Sequence, residues 1–546
     1  MRALVLDGYT DEPACLGVPP FISPHARLTF GALDSAGAEV DYATIDQWRA
    51  GAVDLGRYSL LAIIRNLSVP GRYLRGMPAS DKELLSIAAS FRGIAAASLG
   101  VDPDRVPKPL KEAFDNISSG DFDASVHDLA VHGEFVHRRR TYAEWNSWLL
   151  RGAMACAQHQ DRSGPLIAEV QMYRGCVRYI TGGCRFCVEP LFGDVQFRKP
   201  SDILAEVEAL SRVGVRNFRL GAQSCVYCYM SAETGKSETP TPNPDAISSL
   251  LRRVVEVAEP EVFHLDNANP AVIAEHPEES RSITEAIAEY CTSGNVLAFG
   301  LESADPRVAA ANNLNATAEQ TLQAIRLVNE IGARRGPTGL PMVLPGINFV
   351  CGLEGETKET YRLNLDFLKR VLDEGLLVRR INIRQVIPSR AEFPGVVSSE
   401  EFARFKRAVR VEVDGPMLEK LVPDRTVLRS VYAEVREGGR TFGRQVGTYP
   451  LLVSIPYPVD LGKKVDIAVT GRGFRSISGI VHPTDADTAT LSMLQAVPGI
   501  GKRRAMAIVR KRPFRGREEL WKLIDEPNAL ASAQFHLTCG NVDKSQ

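Results

Sequence analysis

Three cysteines fall inside the stretch RGCVRYITGGCRFC, residues 174–187. Cys176, Cys184 and Cys187 follow the spacing Cys-x7-Cys-x2-Cys, with Phe186 directly before the last. The chain of 546 residues holds ten cysteines in all, so a group this tight points to ligation or redox chemistry before packing by chance. A structural zinc site takes four ligands, one more than the group offers. Cys225 and Cys228, in GAQSCVYC, would supply the remainder. The two Cys-x-x-Cys pairs stand 37 residues apart, however, longer than a compact zinc ribbon uses. Three thiolates also suit an iron–sulfur cubane, in which three irons take protein sulfur and the fourth keeps a position open for an exogenous ligand. An open position is what a catalytic metal site requires. Cys225 and Cys228 themselves suit a second metal site or a redox pair.

The elements that must carry these residues are read from hydrophobic periodicity. Six apolar, β-rich runs (166–172, 216–220, 261–266, 296–302, 346–351 and 380–386) alternate with helical patterns. In PSDILAEVEALSRVG, for example, Ile203, Leu204, Val207, Leu210 and Val213 share one helical face. Such units predict a parallel, barrel-like α/β sheet over residues 166–395, with chemistry at the carboxyl ends of its strands. The cysteine group begins four residues after Met172, where the first strand ends. His264 and Asp266 flank the end of the third strand, and Asn382 and Arg384 share a face of the sixth.

Residues 1–140 read as a separate Rossmann-like α/β unit, from the runs RALVLDGY, AEVDYATID and YSLLAIIRN. It lacks both the Gly-x-Gly-x-x-Gly fingerprint of dinucleotide binding and the Asp-x-His-x-x-Gly pattern of cobalamin binding. Residues 141–165 read as a linker. Residues 396–485 form a connecting region with a small β-barrel, and 486–540 a helical hairpin. A formal charge of −1, with 44% hydrophobic and 24% charged residues, leaves any nucleic-acid binding to a local patch. No run reaches the ~20 apolar residues of a membrane span. The start of the chain lacks a signal pattern, and clustered cysteines suit a reducing compartment, so a cytoplasmic location is expected.

The cysteine group, the six-unit layout and two later motifs together resemble the radical S-adenosylmethionine (SAM) superfamily. Its cluster loop follows the first strand of a partial (β/α)6 barrel and usually reads Cys-x3-Cys-x-aromatic-Cys. Here Phe186 keeps the aromatic position, while the first gap is seven residues. GLESADPRV (300–308) resembles the fourth-strand segment that reaches the SAM ribose and methionine, with Glu302 and Ser303 matching it. INFVCGLEGET (347–357) resembles the fifth-strand motif, in which Gly352 lets backbone approach the adenine. GAQ (221–223) stands where Gly-Gly-Glu is common, which implies a SAM contact for Gln223. Arg384, if inward, would pair with the SAM carboxylate or an anionic substrate. The resemblance implies a [4Fe-4S] cluster on Cys176, Cys184 and Cys187, with SAM as the second cofactor beside Phe186. It implies reductive cleavage of SAM to a 5′-deoxyadenosyl radical, and an electron donor such as ferredoxin or flavodoxin.

More closely, the chain resembles mostly archaeal-type radical SAM proteins with a C-terminal helix-hairpin-helix. DGYTDEPACLGVPPFISP, the cluster loop, NNLNAT and the final hairpin carry that likeness over nearly the whole chain. It is related more distantly to the tRNA methylthiotransferases. Those enzymes use three further N-terminal cysteines for a second cluster, whereas residues 1–150 hold only Cys15. In VPGIGKRRA (497–505), Gly499 and Gly501 make a turn into a helix that suits a phosphate, beside Lys502, Arg503 and Arg504. From Lys502 to Arg517 there are eight Lys/Arg and no Asp/Glu. This implies a grip on nucleic-acid backbone, and the small barrel's likeness to the RNA-holding barrel of the methylthiotransferases favours RNA over DNA. Two alternatives stand beside it. One is a radical SAM enzyme acting on a small molecule, peptide or protein, with the hairpin for docking. The other is a non-enzymatic zinc or iron–sulfur protein that binds nucleic acid.

Overall fold

The computed structural model describes residues 1–10, 21–66, 74–100, 103–393 and 398–540, which leaves Cys15 outside. The N-terminal strands are short and apolar throughout, as strands buried on both faces must be. Ala3 and Val5 enter one core while Leu4 and Leu6 enter another. Five parallel strands lie in the order Glu39–Thr44, Arg2–Thr10, Leu60–Asn66, Ile94–Ser98, Asn116–Ile117, a doubly wound arrangement.

The stretch 141–165, expected as a linker, mostly forms the helix Tyr142–Gln158. Thr141 caps it and Glu144 returns the bond, and Trp145 and Trp148 are buried beneath it. This helix crosses Pro24–Ser35 at two glycines. A Cβ on Gly31 would stand 1.9 Å from the Trp148 carbonyl oxygen, and one on Gly152 would stand 2.0 Å from that of Arg27. Only glycine permits so close a crossing. The segment is thus part of the first unit's packing.

Six parallel strands form an open barrel: Ile167–Gln171, Asn217–Gly221, Val262–Leu265, Asn295–Glu302, Val343–Cys351 and Arg380–Gln385. The first three and the last three are separate sheets, joined by a bridge between Ala268 and Phe299. Phe21–Ile22, from the N-terminal unit, adds a parallel edge beside the first strand. A buried ion pair from Arg27 to Glu206 (2.6 Å) ties the same unit to the first barrel helix, Pro200–Arg212. On inward positions Arg219 is paired with Glu169 (3.4 Å) and with Asp266, so Asp266 is spent within the barrel.

Beyond the helical segment Ser399–Leu421, five strands close a small barrel in the order Val427–Glu437, Arg440–Gln445, Leu452–Ile455, Ser476–Val481, Lys464–Arg472. The third and fifth of these in chain order run parallel, which is the connectivity of an OB barrel. It packs on the amino ends of the larger barrel's strands. Gln445 donates to the Thr338 carbonyl (2.8 Å), a Cβ on Gly339 would meet the Val427 carbonyl oxygen, and Thr448 N–H donates to His264 Nδ1 (2.9 Å). Tyr449 enters the floor against Val296 and Ala298, with the Arg380 guanidinium over its ring. The terminal helices, including Lys502–Lys511 and Pro527–His536, attach to the small barrel through Thr484–Asp485 paired with Leu537–Thr538. None of the described helices is long and apolar enough to cross a membrane.

Candidate functional site

A cavity of about 430 Å³ opens at the carboxyl ends of the larger barrel. Cys176, Cys184 and Cys187 line it with Phe186, Gln223 and Glu302. The seven residues between the first two cysteines form a 3-10 turn, Val177–Thr181, ended by Gly182 and Gly183, both at positive φ. Gly182 has φ 82° and caps the turn in the left-handed region, which side chains other than glycine resist. Asparagines from the far side of the barrel hold this loop. Asn313 Nδ2 donates to the Gly183 carbonyl (3.0 Å), and the Asn312 carbonyl accepts from Arg185 N–H (3.1 Å). Arg178 forks onto Asn313, donating to its carbonyl and to its side-chain oxygen (3.0 Å each), and reaches Cys184 Sγ at 3.2 Å. The sequence stretch NNLN is therefore the staple of the cluster loop, a role its composition alone did not disclose.

Burial pushes all three thiols up, Cys184 and Cys187 to about 12, with Arg178 opposing the shift at Cys184. Ligation by iron would displace those protons. Among the described residues, no three such side chains converge tightly enough to hold a single metal ion. Three thiols facing one cavity can give one thiolate to each of three cubane irons and leave the fourth iron open.

Glu302 sits at the end of the fourth strand with φ 63°, in the left-handed region. Its Oε2 is buried without a hydrogen-bond partner, and burial pushes the carboxyl up to about 8 against the pull of Arg384. A buried, unpartnered acceptor at a cavity wall suits a ligand that brings donors, as the ribose hydroxyls or ammonium of SAM would.

The remaining sequence candidates divide. Gln223 lines the cavity, but its side chain accepts from Met172 N–H (3.4 Å) and donates to the Leu220 carbonyl (3.1 Å). It stitches two strand ends together. Ser303 is buried and its hydroxyl accepts from Asp305 N–H (3.2 Å), a turn contact outside the cavity lining. Gly352 turns the chain at φ 90°, its N–H held by Glu356 at 2.8 Å. Arg384 is half-buried and outside the cavity lining, and its charge opposes the upward shift at Glu302. Asn382 donates to Asn348 (2.9 Å), which does line the cavity.

Cys225 lines the same cavity, and its sulfur accepts from Asn269 N–H (3.2 Å). Cys228 is fully buried and hydrogen-bonds Cys225. No third ligand joins this pair among the described residues. The N-terminal unit contributes His25 and Arg140 to the wall, which only tertiary placement could reveal. His25 is open to the cavity yet surrounded by protein, and burial, helped by Arg140, holds its imidazole down at about 4.

A second cavity, of about 520 Å³, lies at the opposite end, between the larger barrel's floor and the small barrel. His264 belongs there, accepting from Thr448 and hydrogen-bonded through Nε2 to the Thr292 carbonyl (3.0 Å). The terminal helices lie beyond the small barrel. Their basic run is partly neutralised by acids outside the 502–517 window. Arg503 and Arg504 both pair with Asp525 (2.8 and 2.7 Å), and Lys511 pairs with Glu519 (3.0 Å). Lys502 and Arg510 pair with no carboxylate among the described residues. Gly499 is placed by packing, since a Cβ there would stand 2.8 Å from Ala529 Cα, whereas Gly501 begins the helix Lys502–Lys511 in open space.

The model of the radical SAM superfamily matches residues 170–351. An uncharacterized protein of Methanocaldococcus jannaschii is 43% identical over 507 residues, covering 88% of this chain and 93% of that protein. A tRNA-2-methylthio-N(6)-dimethylallyladenosine synthase of Magnetococcus marinus is 25% identical over 246 residues, covering 45% of this chain and 50% of that enzyme. Among solved structures, the cobalamin-dependent S-adenosylmethionine radical enzyme OxsB with aqua-cobalamin bound aligns with 77% of this chain and 56% of its own, at 13% identity and a TM-score of 0.48. The chain belongs to one family with the Methanocaldococcus protein and is an enzyme of the radical SAM superfamily, whose cofactors are a [4Fe-4S] cluster and S-adenosylmethionine.

Proposed function

We propose that this enzyme cleaves SAM reductively and uses the radical to modify a nucleic acid, RNA in preference to DNA. The convergence of Cys176, Cys184, Cys187 and the unpartnered Glu302 on one cavity carries the reading of the site. When bound, the cluster would supply one electron to the sulfonium of SAM, breaking its S–C5′ bond to give methionine and a 5′-deoxyadenosyl radical. The chain's own residues do the rest. The three thiolates would hold three irons, with Arg178 donating to the sulfur of Cys184, and Glu302 would receive donors of SAM. Asn312 and Asn313 hold the loop in place, so its cysteines stay positioned at the cavity. Cys225, at the cavity wall, and Cys228, hydrogen-bonded behind it, suit a redox pair or a second metal site.

Support for RNA comes from the OB connectivity of the small barrel and from the similarity to an enzyme named for tRNA. The floor position of that barrel sets a condition on the substrate. Strands of four to nine residues separate it from the cavity, or roughly 13–30 Å at the usual rise. A mononucleotide cannot touch both ends, but a folded RNA can. That same separation favours, as second reading, a small or peptide substrate with the C-terminal units docking a partner. Anaerobic reconstitution with SAM and dithionite is expected to yield 5′-deoxyadenosine; none, with the cluster present, refutes the radical chemistry. RNA binding should weaken steeply with salt, and less steeply once Lys502, Arg503 and Arg504 are changed to Ala. Unchanged binding by that variant decides for the second reading.

A further inference from the structure

The second cavity, of about 520 Å³, takes no part in the chemistry at the mouth, yet it falls in the size range of small-ligand sites. Two units share its wall. The larger barrel provides Val262, His264 and Leu340, and the small barrel provides residues 445–450, which leave its second strand. Val262, Leu340, Val446 and Pro450 make its sides apolar. The small-barrel side is held rigidly, because Tyr449 is packed into the larger barrel's floor and a Cβ on Gly447 would stand 2.6 Å from the His264 ring.

Every charged residue of the lining is matched within the protein. Lys464 pairs with Glu261, and Arg429 pairs with Asp466 (2.6 Å). Burial keeps His264 uncharged, and both its nitrogens are engaged, Nδ1 accepting from Thr448 N–H and Nε2 donating to the Thr292 carbonyl. Two neutral groups are left over. Gln445 Oε1 and Thr448 Oγ1 are buried without a hydrogen-bond partner, and Thr448 as a whole is 3% exposed. The Gln445 amide nitrogen donates to the Thr338 and Arg429 carbonyls (2.8 Å each), which fixes the amide and leaves its oxygen as an acceptor. The Thr448 hydroxyl can donate or accept. Native proteins rarely leave such groups unpaired, so an occupant of the cavity has a defined task.

We infer that this cavity receives one uncharged nucleobase, unstacked from RNA or carried by a free nucleoside. A base is neutral and flat, with apolar faces for the sides of the cavity. Its edge brings a donor for Gln445 and a donor or acceptor for Thr448. An aliphatic ligand would leave both oxygens unpaired, and a phosphate or carboxylate would find no unpaired cation in the lining. The choice of a base among uncharged rings rests on the proposed action on RNA, whose single-stranded bases are read by being splayed into pockets. A base held at the floor stands a strand's length from the cysteines, so it anchors its RNA and does not itself react.

The test uses the reconstituted full-length enzyme with excess SAM and no reductant, so that the mouth is filled. Adenosine, guanosine, cytidine and uridine are titrated by calorimetry. At least one is expected to bind. Thr448→Val removes the hydroxyl and keeps the N–H on His264, and it should weaken that binding at least ~5-fold, the scale of one lost hydrogen bond. The free variant should unfold at the same temperature or higher, because an unpaired buried oxygen is gone. Val446→Phe, which fills the space and leaves the polar groups in place, should abolish binding. A single-stranded oligoribonucleotide bearing the preferred base, compared with the same strand abasic at that position, identifies the source. Weaker binding of the abasic strand by the wild type, with no such difference in Thr448→Val, assigns the site to RNA. Equal or absent binding of the two strands, beside nucleoside binding that the variants lower, assigns it to a free nucleoside. Absent binding of both strands also removes the RNA reading, with the floor site left standing. No nucleoside binding by the wild type overturns the proposal, as does wild-type affinity in both variants. So does a lower unfolding temperature of Thr448→Val, since the hydroxyl would then serve the joint between the barrels.

Discussion

The two ends of the fourth barrel strand, Asn295–Glu302, meet the same physical problem in opposite ways. At its carboxyl end Glu302 has φ 63°, and at its amino half Val296 and Ala298 pack on Tyr449, which has φ 50°. Each is a large side chain in a backbone region that costs about 1–3 kcal/mol to occupy. At the floor the cost is offset locally, because Tyr449 is buried and the Arg380 guanidinium lies over its ring. At the mouth it is not: Glu302 keeps a buried oxygen without a partner. Strain with its compensation built in marks a structural joint, and strain whose compensation must arrive from outside marks a binding site.

The sharpest break between the ends is chemical. Replacing Cys176, Cys184 or Cys187 by Ala should abolish both the iron–sulfur absorbance and 5′-deoxyadenosine formation, while leaving the thermal transition of the metal-free protein within a few degrees. Tyr449→Ala should do the reverse, costing about 3–5 kcal/mol in unfolding free energy with the cluster spectrum retained. A cluster lost with Tyr449 would show that floor and mouth are one cooperative unit. At the floor, His264 is held near pKa 4 by burial, below the 6.5 of the unfolded chain. The unfolded state therefore binds the extra proton first, so stability should be full above pH 6.5 and fall by about 3 kcal/mol towards pH 4. His264→Gln should flatten that part of the profile in urea titrations. The mildest effect is expected of Glu302→Gln, which keeps the shape but cannot ionise against the donors of SAM as a carboxyl held at about 8 can. SAM binding should weaken by about tenfold with the cluster intact, and equal affinity would remove Glu302 from the site.

Much of the mouth was legible because its signals are local. Three cysteines in one loop, and strands of four to nine residues with period-two or unbroken apolar runs, announce themselves without partners. What escaped depended on contacts distant in sequence. The helix Tyr142–Gln158 presents Gly152, Ala153 and Ala155 to its neighbour, and small residues that allow a close crossing leave only a faint apolar stripe. The strand Val427–Glu437 lies in the region expected to hold the small barrel but shows no clean alternation of its own, because Ser430 adopts φ 55° and the pairing shifts register. The basic count from Lys502 to Arg517 overstated the charge, since Asp525 lies outside that window yet meets two of its arginines. His25 carried no signal at all. Nothing in its own segment says that the opening turn of a helix in one unit becomes the wall of another unit's cavity.

That wall is positioned by main chain. Phe21–Ile22 pair in register with Ile167 and Ala168, and His25 follows three residues after Ile22 in the first turn of Pro24–Ser35. The pairing works as a ruler fixed to the barrel, with the imidazole at a set mark along it. A one-residue slip in such a pairing exchanges the two faces of the strand and carries everything downstream with it. An insertion or deletion between Ile22 and His25 should thus be as damaging as replacing the histidine itself. Substitution of Phe21 by another bulky apolar residue should pass almost unnoticed, because the main chain keeps the measure.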